Sequence, residues 1–435
     1  VTHPDKLPTL VFADEDGNIR DFPDLKMAGM VNGRYVQPDP EDLIPLPEGS
    51  ELFTLPDRQP VGIDPSRNDP LLLKEDPRSP GTQVQAVAAF MAPAHTALLP
   101  AAYQSRKNPV LLPLFAYTAV GWHDDQFWVA GFRSDNDPRQ DFSRFKQKTI
   151  IQKTRKLLAR YKHNRLVQHL GTCCLTYHCP AARNFFLGRW EAPLPTSSVC
   201  NARCVGCISL QPSGSCPSTQ QRINFTPSSH ELIEMAVPHL IHAERPIVSF
   251  GQGCEGEPLL EAELLEKTIS GIRKKTSSGT INLNSNASLP NKIERLALNG
   301  LDSLRVSLNS AQESYYNRYY RPRNYCLEDV KSSITVMKSS GRFVSLNYFI
   351  LPGFTDSFQE TIAFMELIEC HEPDFIQLRN LNIDPEWYNR TLQFPADQET
   401  YGMRQWLMLL KDRFPKLGFG YFNPYLTDGI IQTPA

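Results

Sequence analysis

The sequence predicts an α/β protein: a partial (β/α)6 barrel with a smaller, β-rich domain on its N-terminal side. Two observations carry this. From about residue 185, six apolar strand patterns alternate with helical patterns, and βα units in series build a parallel sheet with right-handed crossovers. Before residue 140 the pattern is that of hairpins. The expected organisation is a β-rich domain over 1–140, then a basic helix and cysteine-containing linker over 141–184. The barrel core follows over 185–385, and a C-terminal extension over 386–435 closes the barrel.

Residues 1–80 hold 16 Asp/Glu against 8 Lys/Arg, with 13 Pro. Proline at this density favours turns and edges over helix. TLVFADEDGNIRDF still reads as a hairpin with a tight Asp-Gly-Asn turn. LFAYTAVGWHDDQFWVAGFR reads as a second, turning at His123-Asp124-Asp125. The region has too many aromatics for a disordered tail.

FKQKTIIQKTRKLLARYKHNRLVQHL predicts one helix, with Ile150, Ile151, Leu157, Leu158, Tyr161 and Leu166 on one face. Asp141 to Arg165 contains nine Lys/Arg and one Asp. This face either balances the acidic N-terminal region or offers a surface to RNA or another polyanion.

The six strand candidates are RWEAPLPTS, VSF near Ile247–Phe250, TINLN from Thr280, SLRVSLN from Ser303, FVSLNYFIL from Phe343 and FIQLRN from Phe375. LLEAELLEKTISGIRK, NKIERLALNG, LEDVKSSITVMKSSG and FQETIAFMELIEC are the helices between them. Asn299-Gly300 and Ser340-Gly341 are stop signals after two of these. RNLNIDPEWY, Arg379 to Tyr388, is expected to extend the sixth strand, with Arg379, Asn380 and Asn382 either lining a pocket or bonding the barrel rim. TYGMRQWLMLLKDRF predicts a helix, and GFGYF a possible last strand. Chemistry in such barrels sits at the C-terminal ends of the strands.

Composition bounds the rest. At 41% hydrophobic and 21% charged residues the chain can bury a core and stay soluble. A net charge of −2 gives no whole-chain argument for nucleic acid or a membrane surface. No apolar run is long enough to span a bilayer. The N-terminal residues show no secretory pattern, so a cytoplasmic location is expected.

The ten cysteines all fall at or after Cys173. VCNARCVGC places Cys200, Cys204 and Cys207 directly after the first barrel strand as Cys-x3-Cys-x2-Cys. Three thiolates on one loop can hold three irons of a cubane and leave the fourth open. A structural zinc site would need a fourth ligand, from Cys216 or His178.

This motif, its place in the βα series and the segments that follow resemble the radical S-adenosylmethionine superfamily, over roughly Trp190 to Asp384. The resemblance implies a [4Fe–4S] cluster on Cys200, Cys204 and Cys207, and S-adenosylmethionine chelating the open iron. Reductive cleavage then gives a 5′-deoxyadenosyl radical that abstracts hydrogen from substrate. It also implies a reducing partner such as flavodoxin or ferredoxin.

In the same resemblance, SFGQGCEGEPLL stands where the family has Gly-Gly-Glu-Pro. Gly256 and Glu257 are thereby the candidates for the methionine amine, although Gln252, Gly253 and Cys254 depart from the family pattern. VSLNSA resembles the ribose-contacting segment, making Ser307 and Asn309 candidates. Asn286, after the third strand, either faces ligand or starts a turn. Arg321, with Arg323, pairs either with the methionine carboxylate, a substrate anion or a surface acid.

Cys173, Cys174 and Cys179 are either ligands of an auxiliary iron–sulfur cluster, completed by Cys216 or Cys254, or buried thiols without a metal role. Cys254 is also a candidate catalytic thiol. The substrate expectation leans to a peptide or protein side chain, with RNA modification as the alternative. A further alternative is a non-catalytic iron–sulfur or zinc scaffold that binds a partner.

Overall fold

The computed structural model describes residues 3, 4, 6–212, 215–427 and 429–431. The chain forms two compact units. One contains residues 1–135, 349–362 and 378–415; the other contains 136–348, 363–377 and 416–435.

The first unit is built on an antiparallel sheet. Thr9–Ala13 pairs with Ile19–Lys26, as the first hairpin pattern predicts. Its turn is held by Asp14, whose Oδ1 accepts the N–H of Asp16 at 3.1 Å and of Asn18 at 2.9 Å. Val120–His123 pairs with Gln126–Arg133 as the second hairpin. Asp124 and Asp125 take φ of 48° and 54° at its turn, the left-handed pair that matches strand twist. Val11, Ala13, Val87, Ala89 and Val129 form a core on one face.

The stretch 378–415 of this unit corrects one expectation. The strand Phe375–Asn380 is not extended to Tyr388 but stops, and a helix runs over Pro385–Leu392. Asp384 caps it by accepting from the N–H groups of Glu386 and Trp387, and Pro385 at the first turn has its φ already set for helix. The other carboxylate oxygen of Asp384 meets Arg58 Nη2 at 2.7 Å and accepts the Leu112 N–H at 3.2 Å. Asn380 is spent on backbone: its Oδ1 accepts the Ala97 N–H and its Nδ2 donates to the His95 carbonyl, both at 2.9 Å.

The second unit opens with α1 (Gln147–Arg160), α2 (Arg165–Leu175) and α3 (Pro180–Leu187). The single basic helix expected here is therefore two helices. Asn164 breaks it, because its Oδ1 caps α2 through the Val167 N–H at 3.1 Å while its Nδ2 donates to the Glu231 carbonyl at 2.9 Å.

Seven parallel strands then follow in sequential order. They are Arg189–Pro193, Glu244–Phe250, Thr280–Ser285, Ser303–Leu308, Phe343–Ile350, Phe375–Asn380 and Gly418–Gly420. The first six are the strands the sequence predicts, and GFG is the last. The intervening helices are α4 (Ser229–His242), α5 (Ala262–Arg273), α6 (Pro290–Leu298), α7 (Glu313–Tyr320), α8 (Leu327–Ser339) and α9 (Phe358–His371). Gly300 and Gly341 end α6 and α8 at φ of 106° and 67°, a conformation that favours glycine. α4 and α7 are additions to the predicted set. α4 has a full capping box between Ser228 and Glu231, but Pro238 interrupts its pattern.

The two faces of this sheet differ in chemistry. Side chains alternate along a strand. Ile281 and Leu283, Leu304, Val306 and Leu308, and Val344, Leu346 and Tyr348 occupy one set of positions and are buried. Tyr348 stacks on Phe364 of α9 at 3.9 Å, which marks this as the helix-covered face. The alternate positions carry Ser249, Asn282, Asn284, Ser303, Arg305, Ser307, Ser345, Asn347 and Gln377. Strands of a parallel sheet covered on both faces read as continuous apolar runs. Here the face away from α9, the inner face, is instead polar.

Candidate active site

The inner face is one hydrogen-bonded network. Asn282 Nδ2 donates to Asn284 Oδ1 at 2.8 Å, and Ser303 Oγ donates to Asn282 Oδ1 at 2.9 Å. Gln377 Nε2 donates to Asn423 Oδ1 at 2.9 Å. Asn423 Nδ2 donates in turn to Glu191 Oε1 at 2.7 Å, which also accepts from Gln252 Nε2 at 3.1 Å. Asn284 Nδ2 and Asn347 Oδ1 are buried and have no protein partner. A buried polar atom without a partner costs free energy, so these two near the strand ends are available to a polar ligand.

The cysteine loop follows the first strand. Its backbone is fixed by protein groups: the N–H of Arg203 donates to the Tyr320 carbonyl at 2.8 Å, that of Val205 to the Tyr319 carbonyl at 3.0 Å, and that of Arg323 to the Asn201 carbonyl at 2.9 Å. Cys200 Sγ accepts the Ala202 N–H at 3.4 Å, and Arg222 Nη2 donates to Cys207 Sγ at 3.4 Å. Burial pushes the Cys200 thiol up to about 11, with the Glu257 carboxylate adding to it. Burial likewise raises Cys204, and Cys207 and Cys200 add repulsion. Three thiols on one loop, with an N–H donor on the Cys200 sulfur and a guanidinium donor on the Cys207 sulfur, would give up their protons to a cationic metal group, the thiolate being the form that binds metal. This donor set fits an iron–sulfur cluster.

The loop after the second strand lies against this one. Gly256 N–H donates to the Ser197 carbonyl at 2.6 Å, and Glu257 N–H to the Val199 carbonyl at 2.8 Å. A Cβ on Gly256 would stand 2.0 Å from the Val199 oxygen, so only glycine fits. Glu257 is 4% exposed, and its carboxylate is engaged by protein. Ser285 Oγ donates to Oε1 at 2.6 Å, the Leu259 N–H to Oε1 at 3.0 Å and the Asn286 N–H to Oε2 at 2.9 Å. Burial raises its carboxyl. Glu255, absent from the sequence reading as a site residue, is tied more fully. Its Oε2 accepts the N–H of Thr196 at 2.7 Å, the Thr196 hydroxyl at 3.0 Å and the Ser197 N–H at 3.0 Å. Its Oε1 accepts the N–H of Gly251 at 2.7 Å and of Gln252 at 3.0 Å. Burial pushes this carboxyl up to about 7, with the donors pulling the other way.

The remaining candidates are dispersed around these loops. Asn286 Nδ2 donates to Asn201 Oδ1 in the cysteine loop at 2.7 Å. Asn309 is buried and its amide donates to the Tyr315 carbonyl at 3.4 Å, while Ser307 is half-buried on the inner face. Arg321 ends α7 at φ 48°. With Arg203 and Arg323 it lines a cavity of about 570 Å³ that also reaches Tyr325 and Cys326.

Of the outlying cysteines, Cys173, Cys179 and Cys254 lie near enough to influence one another. Cys173 and Cys174 are neighbours on α2, about 100° apart around the helix. Cys174 Sγ meets Thr154 Oγ1 at 3.4 Å. Cys173 Sγ lies 3.6 Å from His169 Nε2, and these two atoms with Cys254 Sγ all fall within 4.8 Å of one another. Cys179 starts α3, with its N–H on the Cys173 carbonyl at 3.0 Å. Cys216 is buried in the loop between the first strand and α4. His169 escaped the sequence reading, although its spacing of four from Cys173 was there to see. Glu191, Gln377 and Asn423 were also missed. For Glu191 and Gln377 the signal is the polar alternation within strands taken only as strands, whereas Asn423 lies beyond the last strand of the sheet.

Residues 194–365 match the sequence model of the Radical SAM superfamily. This segment belongs to that superfamily. Comparison with curated protein sequences gave no match. Among solved structures, the chain is similar to a radical SAM methyltransferase from Sphaerobacter thermophilus at 15% identity, covering 53% of this chain and 65% of that one, with a TM-score of 0.39. SuiB from Streptococcus suis, bound to S-adenosylmethionine, aligns at 12% identity over 65% of this chain and 62% of that one, TM-score 0.39. The FeFe-hydrogenase maturase HydG from Carboxydothermus hydrogenoformans aligns at 14% identity over 62% and 70%, TM-score 0.36. The chain thus spans about two thirds of the length of these proteins. Among the described residues no helix is long and apolar enough to cross a membrane.

Proposed function

We propose that this chain is a radical enzyme that binds S-adenosylmethionine on the inner face of the parallel sheet, beside a [4Fe–4S] cluster held by Cys200, Cys204 and Cys207. The observation that carries this is the joining of the polar inner face to the cysteine loop through Gly256-Glu257. When bound, the cluster supplies the electron that splits the sulfonium into methionine and a 5′-deoxyadenosyl radical, which takes a hydrogen atom from substrate. Arg222 and the Ala202 N–H balance charge on the sulfurs. Glu257 sets the positions of Ser285 and Asn286, and Gly256 lets the backbone approach closely. Asn284, Asn347, Ser307 and Asn309 are the polar groups offered to the nucleoside. Arg321 is offered to a carboxylate, of methionine or of substrate. A low-potential donor of the flavodoxin or ferredoxin kind would reduce the site.

For substrate, we favour a peptide or protein side chain, with the β-rich first unit as the added recognition element. RNA is the second reading, favoured by the exposed Lys148, Lys153, Arg155, Lys156 and Arg160 of α1.

The test is anaerobic reconstitution followed by dithionite and S-adenosylmethionine. Wild-type protein should release 5′-deoxyadenosine, and Cys204→Ala should release none. Failure of fully iron-loaded wild-type protein to do so sinks the proposal.

A further inference from the structure

His169 and Cys173 stand four residues apart on α2, one turn of one face. The loop after the second strand delivers Cys254 to them. Cys173 is 1% exposed and Cys254 4%. Two buried thiols and an imidazole nitrogen within 4.8 Å of one another are more than packing requires, since a lone buried cysteine behaves as a small apolar side chain.

We propose that His169, Cys173 and Cys254 hold a single zinc ion, separate from the Cys200–Cys204–Cys207 site. The spacing is compatible with zinc. Zinc bonds of about 2.3 Å to sulfur and about 2.0–2.1 Å to imidazole give a tetrahedral S···N edge of roughly 3.6 Å. The Cys173 Sγ to His169 Nε2 separation is 3.6 Å. An iron–sulfur cluster puts each thiolate on a different iron and needs its ligands further apart. The fourth position falls to water or to Cys179, whose N–H already bonds the Cys173 carbonyl.

The ion has a structural consequence. It ties α2 to the residue next to Glu255, whose carboxylate fixes the turn at Gly251 and Gln252. Metal here would anchor the loop that presents Gly256 and Glu257. It would also make Cys254 a ligand and remove it from hydrogen-atom donation.

The test uses the full chain with Cys200, Cys204 and Cys207 all changed to Ala, so that iron at that site cannot confuse the count. Metal analysis should give about one zinc per chain and no sulfide. Adding Cys173→Ser or His169→Gln should bring zinc close to zero. Cobalt in place of zinc should show thiolate charge-transfer and tetrahedral d–d bands, a readout that needs no further substitution. Any of three results overturns the proposal: iron with sulfide in the triple variant, a Cys173–Cys254 disulfide seen as two hydrogens missing from the mass, or zinc unaffected by either ligand change.

Discussion

Gly256 and Val199 meet so closely that a Cβ on the glycine would stand 2.0 Å from the valine carbonyl oxygen. The neighbouring N–H groups of Gly256 and Glu257 pair with Ser197 and Val199. The contact leaves no flexible side chain to give way. Gly256→Ala should therefore cost about 3 kcal/mol or more, at the upper end for overpacking. The substituted chain should show a lowered thermal midpoint and incomplete iron loading after reconstitution. Unchanged midpoint and iron content would show that the two loops can part freely.

The two carboxylates of this loop should respond differently to amide replacement. Glu255→Gln turns an amide NH2 toward backbone N–H donors, whichever way it is placed. Leaving at least two buried donors unsatisfied should cost roughly 2–6 kcal/mol. Glu257→Gln can keep Ser285 and Leu259 on its remaining oxygen and lose only the Asn286 N–H. Its cost should be roughly 1–3 kcal/mol. Urea denaturation of both variants checks the order, and equal losses would contradict it.

Asn347 tests the inner face as a binding surface. Its Oδ1 is buried without a protein partner, so removing it should cost little stability. If it serves S-adenosylmethionine, Asn347→Ala should raise the apparent Kd roughly tenfold while the thermal midpoint stays within a degree or two. Calorimetric titration and thermal melting together distinguish this from a folding defect.

Acid stability should report His239. Burial lowers its imidazole from 6.5 to about 4, and Nε2 donates to the Trp190 carbonyl at 2.5 Å. The unfolded chain takes up this proton near pH 6.5 and the folded chain only near 4. Its stabilising contribution is therefore full above 6.5 and is lost as pH falls toward 4, by about 3 kcal/mol in total. His239→Gln should flatten the fall in stability across that interval, measured by denaturant melts at successive pH values.

In the first unit, Arg58 and Asp384 are 1% and 2% exposed and bonded at 2.7 Å. Arg58→Ala should leave a buried carboxylate unpaired and cost about 3–5 kcal/mol. Arg58→Ala should also fray the helix Pro385–Leu392 that Asp384 caps, visible as a loss of helical dichroism.

The sequence displayed the barrel well because each strand is a short β-rich run bounded by turn residues, with Gly300 and Gly341 punctuating the helices. The break at Asn164 was hidden because the basic pattern continues across it, and the capping amide works only with Glu231 from a distant helix. The start of the helix at Pro385 was readable from Asp384-Pro385 but was overridden by the apparent continuation of the strand. Cys200, Cys204 and Cys207 stood out because three ligands share one loop. The association of His169 and Cys173 with Cys254 is set by tertiary packing across some eighty residues of chain and leaves no local pattern.

Glu255 and Glu257 point their carboxylates to different sides of one short loop. Glu255 holds Thr196 and Ser197 after the first strand, and Glu257 holds Ser285 and Asn286 after the third. Three separate βα connections are thereby locked into one cooperative opening unit. In amide hydrogen exchange the N–H groups of Thr196, Ser197, Gly251, Gln252 and Asn286 should become labelled together, with one opening free energy, although surface loops usually exchange piecemeal.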